Sequence, residues 1–283
     1  MKHWIKNIFW WWTGLFILIL NKPRHALQGY TRPRAFSVNE FDKAVDYDLE
    51  VVRDWAFYWA KYQGVGADWK GHRVLELGPG ADFGVGITLL ASGAASYHAL
   101  DAHLLAPTAP DELYEVLAER LNKNIAGFKN KIHYVYDKNF DVTQFRDVGI
   151  DLIMSNAAFE HFDDVEKTIK QMSEIVQPGG VLIAEVDLQT HSRWIRDADP
   201  LNIYRYSEWL YRLLSFSGTP NRVRPASYRQ WLEKYGWNNI VIYPKLTIPK
   251  DAAEAVRDGL IKDFKKEGES LGWLSFVVCA AKK

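Results

Sequence analysis

The sequence predicts an α/β protein: a doubly wound, seven-stranded, mostly parallel sheet with an antiparallel end, a helical insertion after the fifth strand and a hydrophobic N-terminal helix. Three observations predict it. Val74-Leu75-Glu76-Leu77 runs into the Gly78-Pro79-Gly80 turn, a buried strand whose loop backbone must approach a ligand closely. A second apolar segment, Ala95 to Leu100, ends in Asp101. Strand-like and helix-like patterns then alternate as far as Leu188, the mark of a parallel sheet covered on both faces.

Balanced charge, 35 basic against 35 acidic residues in 283, gives no global field for nucleic acid. Cys279 is the single cysteine, so no internal disulfide forms; its apolar neighbours place it in a strand core. The Trp residues avoid Val74 to Val186, and four of the 12 fall in the first twelve positions.

The N-terminal segment carries Lys2 and Lys6, an apolar run from Ile8 to Leu20, then Lys22, Pro23, Arg24, Arg32 and Arg34. About thirteen apolar residues make a helix of roughly 20 Å, short of the about twenty residues a bilayer core needs. Cationic flanks and a Trp cluster suit residues 4–20 to a helix lying in the headgroup region of a membrane. Packing on the rest of the chain or on a second copy is the competing expectation. A cleaved signal ranks lower, because no small-x-small site follows. Residues 21–37 read as a linker, so the chain divides into 1–36 and a main domain, 37–283.

Ser37-Val38-Asn39-Glu40 offers a helix start. Phe41, Val45, Leu49, Val52 and Trp55 form a helical stripe laid over the ligand side of the sheet. Strands are expected at 73–77, 96–100, 132–136, 150–155, 181–186, 239–243 and 273–281. Helices are expected at 84–92, 111–126, 165–176 and 251–267, with Pro178-Gly179-Gly180 closing the third. Residues 189–237, rich in aromatics and arginines, form the insertion.

A glycine turn after one strand and a carboxylate after the next is how α/β folds hold a nucleoside. Further along come Asp151-Leu152-Ile153-Met154-Ser155-Asn156, Phe159-Glu160-His161 and Gln177-Pro178-Gly179-Gly180-Val181-Leu182. Taken in order, these motifs make the chain resemble the class I S-adenosylmethionine-dependent methyltransferases over roughly residues 70–190. Glu76-x-Gly78-x-Gly80 looks like their first motif, Asp101 their ribose-binding acid. The Glu-Leu-Gly-Pro-Gly loop and Leu-Leu-Ala-Ser-Gly-Ala also resemble bacterial enzymes of surface-glycan or lipid pathways. One departure stands out: Asp82 occupies the place of the family's usual third glycine, and Gly84 comes later.

The resemblance implies a strand seven that lies antiparallel between five and six. It also implies S-adenosyl-L-methionine as cofactor, over the C-terminal ends of the first strands. Gly78 and Gly80 would then line its methionine moiety, Glu76 would orient the amino end, Asp101 would hold both ribose hydroxyls, and Ala102 would lie by the adenine. An acid after the third strand usually meets the adenine amino group, and Asp137 and Asp141 both qualify by position. Asn156 opens toward the transferred methyl. For a hydroxyl acceptor, His161, His191 and Asp187 are the candidate bases; no metal is assigned. Arg193, Arg196, Arg205, Arg212, Arg222 and Arg224 could bind phosphate on the acceptor side, the alternative being an amphipathic cover with its arginines in water. The expected activity is O-methylation of a membrane-associated glycan or lipid-linked acceptor, from a cytoplasmic enzyme peripheral to the inner face of the cell membrane. The alternatives are a soluble small-molecule methyltransferase, a binding module without transfer and a nicotinamide dehydrogenase.

Overall fold

Apolar strands with no place to turn a polar face must be covered on both sides, and the sheet is built on that constraint. The computed structural model describes residues 3–28 and 40–283. Ser37–Asn39 of the expected helix start, and Arg32 and Arg34, lie outside the described residues. Strands β1 (Arg73–Leu77), β2 (Ser96–Asp101), β3 (Ile132–Tyr136), β4 (Ile150–Asn156), β5 (Val176–Asp187), β6 (Trp237–Thr247) and β7 (Trp273–Lys282) form one sheet in the order β3-β2-β1-β4-β5-β7-β6. The first five run parallel. Strand β7 lies antiparallel between β5 and β6. This is the class I methyltransferase order that the resemblance implies. Strand order reverses between β1 and β4, which opens a crevice at their carboxyl ends.

Helices α2 (Phe41–Gln63) and α3 (Gly84–Ala91) cover one face, where Trp55, Trp59, Val74, Leu89, Tyr97 and Met154 pack together. Helix α4 (Asp111–Leu121) joins them through Leu113 and Leu117. On the other face α5 (Val165–Ile175) sets Ile169 and Met172 against Leu75, Ile153 and Leu182. Full burial of each such side chain contributes about 1.5–3 kcal/mol. Cys279 sits in this sheet, and burial pushes its thiol up to about 12, so it has no nucleophilic character near neutrality.

Several expected boundaries move for local reasons. Helix α4 stops at Leu121, not at 126, because Asn122 turns left-handed at φ 50° and accepts the C-terminus. After α6 (Glu208–Leu214) and α7 (Pro225–Lys234) of the insertion, the helix expected at 251–267 divides into α8 (Lys250–Arg257) and α9 (Lys262–Lys265). Between them a side chain at Gly259 would meet the Arg205 guanidinium at 2.0 Å. The Pro178-Gly179-Gly180 turn lies inside β5 as an irregularity: Val176 pairs with Ile150 before it and Val181 with Leu152 after it.

The largest correction concerns the N-terminus. Helix α1 runs from His3 to Gln28, through Pro23, where a linker was expected. It belongs to the folded unit. Asn7, Trp11, Gly14, Leu15 and Leu18 recur at helical spacing and face the insertion. There the 3-10 turn Asn202–Arg205 reaches it: Asn202 Nδ2 donates to the Trp10 carbonyl (2.9 Å) and Tyr206 Oη to the Trp11 carbonyl (3.0 Å). Asp199 holds Arg205 through two contacts (2.8 and 2.9 Å), and Arg205 Nη1 donates to Asn7 Oδ1 (3.1 Å). A Cβ at Gly14 would stand 2.0 Å from Asn202 Oδ1 and 2.3 Å from Tyr206 Oη. Gly14→Leu is therefore expected to lower unfolding stability by about 1–3 kcal/mol as an overpacked contact, read as a shift in the urea midpoint. Thr13→Leu, at the neighbouring half-buried position, is the comparison expected to shift it less.

Candidate active site

A crevice of about 1370 Å³ opens at the carboxyl ends of β1, β2 and β4. It exceeds the roughly 300–1,000 Å³ of a typical ligand pocket, which leaves room for two molecules. Its floor is the loop after β1. Gly78 and Gly80 take φ of +78° and +82°, and a Cβ on Gly78 would stand 2.6 Å from Ala158 Cβ. Any larger residue at Gly78 would be both strained and crowded. Across the opening Ala157, a non-glycine residue, is held left-handed at φ 49°, and such strain gathers at functional sites. The Asn156 Nδ2 donates to Tyr47 Oη (2.8 Å), bridging β4 to α2.

Three acids are buried at the methionine end expected for the cofactor: Glu76, Asp48 and Asp82. Burial pushes the Glu76 carboxyl up to about 8, although the Tyr97 hydroxyl donates to it. Burial also raises Asp48 and Asp82, and the neighbouring Asp82 carboxylate raises Asp48 further. Asp82 Oδ1 accepts from the Gly84 amide (2.6 Å). The residue in the third glycine's place thus anchors the start of α3, while Gly84 makes room for Asp48, whose carboxylate oxygen would lie 1.9 Å from a Cβ there. Asp48 Oδ2 has no hydrogen-bond partner among the described residues. A buried acid cluster with an orphaned oxygen fits the cationic end of S-adenosylmethionine.

Asp101 stands at the end of β2 with both oxygens engaged by backbone, His103 N at 2.8 Å and Gly80 N at a long 3.4 Å. Burial raises its carboxyl, and those amides partly offset the rise. Asp101 and Ala102 both line the crevice, as do Glu76, Gly78, Gly80 and Asn156. Asp137 does not. Its carboxylate is turned into its own loop, accepting from the Asn139 amide (3.0 Å), the Asp141 amide (3.0 Å) and Gln144 Nε2 (2.9 Å). Asp141 is likewise spent on Thr143 and Gln171. Their neighbours Tyr136, Lys138, Asn139 and Phe140 form that wall.

Of the three candidate bases, only His161 lines the crevice. Burial, then the adjacent His191, pushes its ring down to about 4, so it is neutral at pH 7. Asp187 and His191 lie behind it. Burial would raise Asp187, but His191, the Gln189 amide and Arg196 together hold it below its ordinary value. The insertion's arginines are mostly internal ties: Arg205 on Asp199, Arg222 on Glu208 and two carbonyls, Arg224 on the Ser270 carbonyl, Arg212 on Glu208 and Arg196 on Asp187. Arg205, Arg222 and Arg224 are buried and pin the cover together, which neither reading made from the sequence foresaw, whereas Arg212 lies in water as the second reading has it. Arg193 alone of the six lines the crevice, and it is exposed.

Sequence reasoning passed over Tyr47 and Asp48. The signal for Asp48 was present: it falls three residues after Val45 and four before Val52, an acid on the apolar face of a helix. Tyr47 carried none.

Fold and crevice together define an α/β protein that holds a nucleoside-type cofactor. Residues 49–241 match the family described as the methyltransferase domain, and the chain belongs to that family. Solved structures with related folds include an S-adenosylmethionine-dependent methyltransferase from Mesorhizobium loti (17% identity, 79% of this chain and 97% of that one, TM-score 0.46). Phosphoethanolamine N-methyltransferase 2 from Haemonchus contortus in complex with S-adenosyl-L-methionine is similar at 14% identity (84% of this chain, 52% of that one, TM-score 0.48). The CurJ carbon methyltransferase is similar at 17% identity (76% and 49%, TM-score 0.41), so this chain spans about half of its length. No curated protein matches the chain. The cofactor is S-adenosylmethionine.

The acid cluster makes cofactor binding pH-dependent. A carboxyl held up to about 8 is mostly neutral at pH 7, and a bound cation favours its ionised form, so binding releases a proton. Affinity for S-adenosylmethionine is expected to rise with pH toward 8 and then level off, by at most about tenfold per pH unit for one proton. Calorimetry at pH 7 in two buffers of different ionisation enthalpy reads the release directly; equal heats in both would contradict it.

Proposed function

We propose that this methyltransferase transfers the methyl group to an oxygen of a membrane-associated acceptor, a lipid-linked glycan or a lipid headgroup, while lying on the cytosolic face of a membrane. The observation that carries the proposal is the outward face of α1. Opposite the stripe that packs on the insertion, Ile5, Ile8, Phe9, Trp12, Phe16, Ile19 and Leu20 are all exposed, Trp12 and Phe16 at 62% each. Helix α1 contains no acid, and Lys6, Lys22 and Arg24 flank the apolar stripe. Contiguous apolar surface of this kind, rimmed by cations, suits a helix half sunk at the headgroup boundary.

No helix among the described residues is long and apolar enough to cross a membrane. Neighbouring parts of the insertion extend the apolar character. Trp209 and Leu213 on α6 (Glu208–Leu214) are exposed, and Lys22 of α1 donates to the Leu213 carbonyl. Trp194 is 83% exposed and follows Arg193, which lines the crevice. An acceptor held at the surface would thus meet a cation at the mouth of the site.

When bound, S-adenosylmethionine supplies a sulfonium-activated methyl group. The chain's own part is to bind and position. Gly78 and Gly80 present backbone to the methionine portion, Asp101 offers a carboxylate to the ribose hydroxyls, and Asn156 is fixed by Tyr47 at the β4 edge. With the leaving group already activated, holding the acceptor oxygen in line does most of the work. Of the three candidate bases His161 alone lines the crevice, and a ring so depressed is too weak a base for proton transfer to rest on it.

Two measurements test this reading. Radiolabelled methyl transfer into a lipid extract is expected from the wild-type protein and is expected to fall at least about a hundredfold in Asp101→Ala, the loss of a two-point charged contact. Product only in the water-soluble fraction would favour a small-molecule acceptor instead. Flotation with vesicles containing anionic lipid is expected to carry the full chain. Trp12→Asp with Phe16→Asp, both on the solvent face, is expected to weaken it by about tenfold or more while S-adenosylhomocysteine binding is kept.

A further inference from the structure

We infer that Glu160, His161 and His191 form a binding site for one divalent transition-metal ion at the acceptor edge of the crevice. Glu160 and His161 sit on the 3-10 turn Phe159–His161 after β4, and His191 comes from the insertion. One ligand atom from each of the three lies within 4.8 Å of the others. Glu160 is 2% exposed, and neither of its carboxylate oxygens has a hydrogen-bond partner among the described residues. His161 Nδ1 and His191 Nε2 are likewise buried without a hydrogen bond.

Buried polar atoms are almost always paired. Leaving such atoms unpaired together at one point is unfavourable. A cation shared among them removes that cost. Metal–ligand distances of about 2.0–2.2 Å place tetrahedral ligand atoms roughly 3.4 Å apart, so the three groups close on an ion by side-chain movements of roughly an ångström. Two imidazoles and a carboxylate suit zinc, iron or cobalt over magnesium, which prefers oxygen and keeps its water.

The surroundings are those of a metal site. Asp187 Oδ2 lies 3.5 Å from His191 Nε2, and is itself fixed by Arg196 at 2.6 Å and the Gln189 amide. Being next to the ligating nitrogen itself, it can add a fourth ligand. The two imidazole rings meet edge to face, 4.8 Å between centroids. His161 lines the crevice together with Gly218 and Arg193, which puts the cluster at the edge of the acceptor space. An oxygen of the acceptor would be the natural ligand there, a role that rests on the methyl-transfer reading; the site itself does not.

The test uses the full-length protein, stripped of metal by a chelator and titrated with Zn²⁺, Co²⁺ or Mg²⁺ alone. Expected are one equivalent of Zn²⁺ at micromolar affinity or tighter, weak Mg²⁺ binding, and a Co²⁺ visible spectrum of a low-coordinate N/O site. His191→Ala, a half-exposed position, is expected to weaken Zn²⁺ binding at least about a hundredfold and abolish that spectrum. Asp187→Asn is expected to weaken it about tenfold. Zn²⁺ bound only at millimolar concentration, or equally well by the wild type and His191→Ala, would overturn the site. Thermal unfolding of His191→Ala with and without S-adenosylhomocysteine shows that the variant is folded. The stripped wild type titrated with S-adenosylhomocysteine separately reports whether the cofactor reading stands.

Discussion

Everything in the crevice depends on three acids buried where the parallel strands end. Glu76, Asp48 and Asp82 are almost wholly removed from water, and Asp82 lies close enough to raise the carboxyls of the other two. Desolvation of a charged acid costs several kcal/mol unless something compensates it. Without ligand, protons compensate, together with the Tyr97 hydroxyl and the Gly84 amide. A cationic ligand end can replace the protons. The arrangement also dictates local sequence. Gly84 must lack a side chain to admit Asp48, and Gly86 must lack one because a Cβ would lie 2.4 Å from the Tyr97 ring. Two glycines in the first turn of α3 thus serve the acids and their hydrogen-bond donor.

Much of this frame is legible in the sequence because it rests on short-range rules. The alternation of apolar runs and helices yields the parallel sheet. The turn glycines and Asp101 mark the nucleoside end, where the structure places them on the crevice wall. Legibility fails where long-range packing decides. Position alone left Asp137 and Asp141 as equal candidates, yet both carboxylates close their own loop, a choice made by local amides that no spacing reveals. The buried arginines of the insertion read as surface cations, because their partners are mostly distant in sequence or are carbonyls. Arg224 meets Ser270, and Arg222 meets Ile203 and Tyr206.

Helix α1 shows the same limit from the other side. Its composition is apolar all round, so the sequence alone could not divide it into faces. The division comes from small and polar residues at 7 and 14. Asn7 satisfies Arg205 and the Ala255 carbonyl, and Gly14 lets the Asn202 and Tyr206 side chains reach the helix backbone. Position 7 and position 14 lie on one stripe, two helical turns apart. That stripe goes inward, and the opposite one, from Ile5 to Leu20, is left in water. The competing expectations of self-packing and membrane contact therefore concern different faces of one helix. The first is seen in the fold and the second is the proposed contact.

A continuous set of ties joins that helix to the crevice. Asn7 contacts Arg205, Arg205 pairs with Asp199, and the Asp199 amide bonds to Ile195, in the turn that also holds Arg193, Trp194 and Arg196. Arg196 in turn holds Asp187 beside His191. The central link is withdrawn from water, since the Arg205 and Asp199 side chains are each 1% exposed. An exposed aromatic face, a free-standing arginine and a cluster of orphaned ligand atoms are consequently fixed in one unit around the acceptor side. The donor side is built separately from α2, α3 and the ends of β1 and β2. Each half has its own buried electrostatic knot, acids at the donor end and an acid with two imidazoles at the acceptor end. The methyl group would pass where the two meet, between Gly78 and His161.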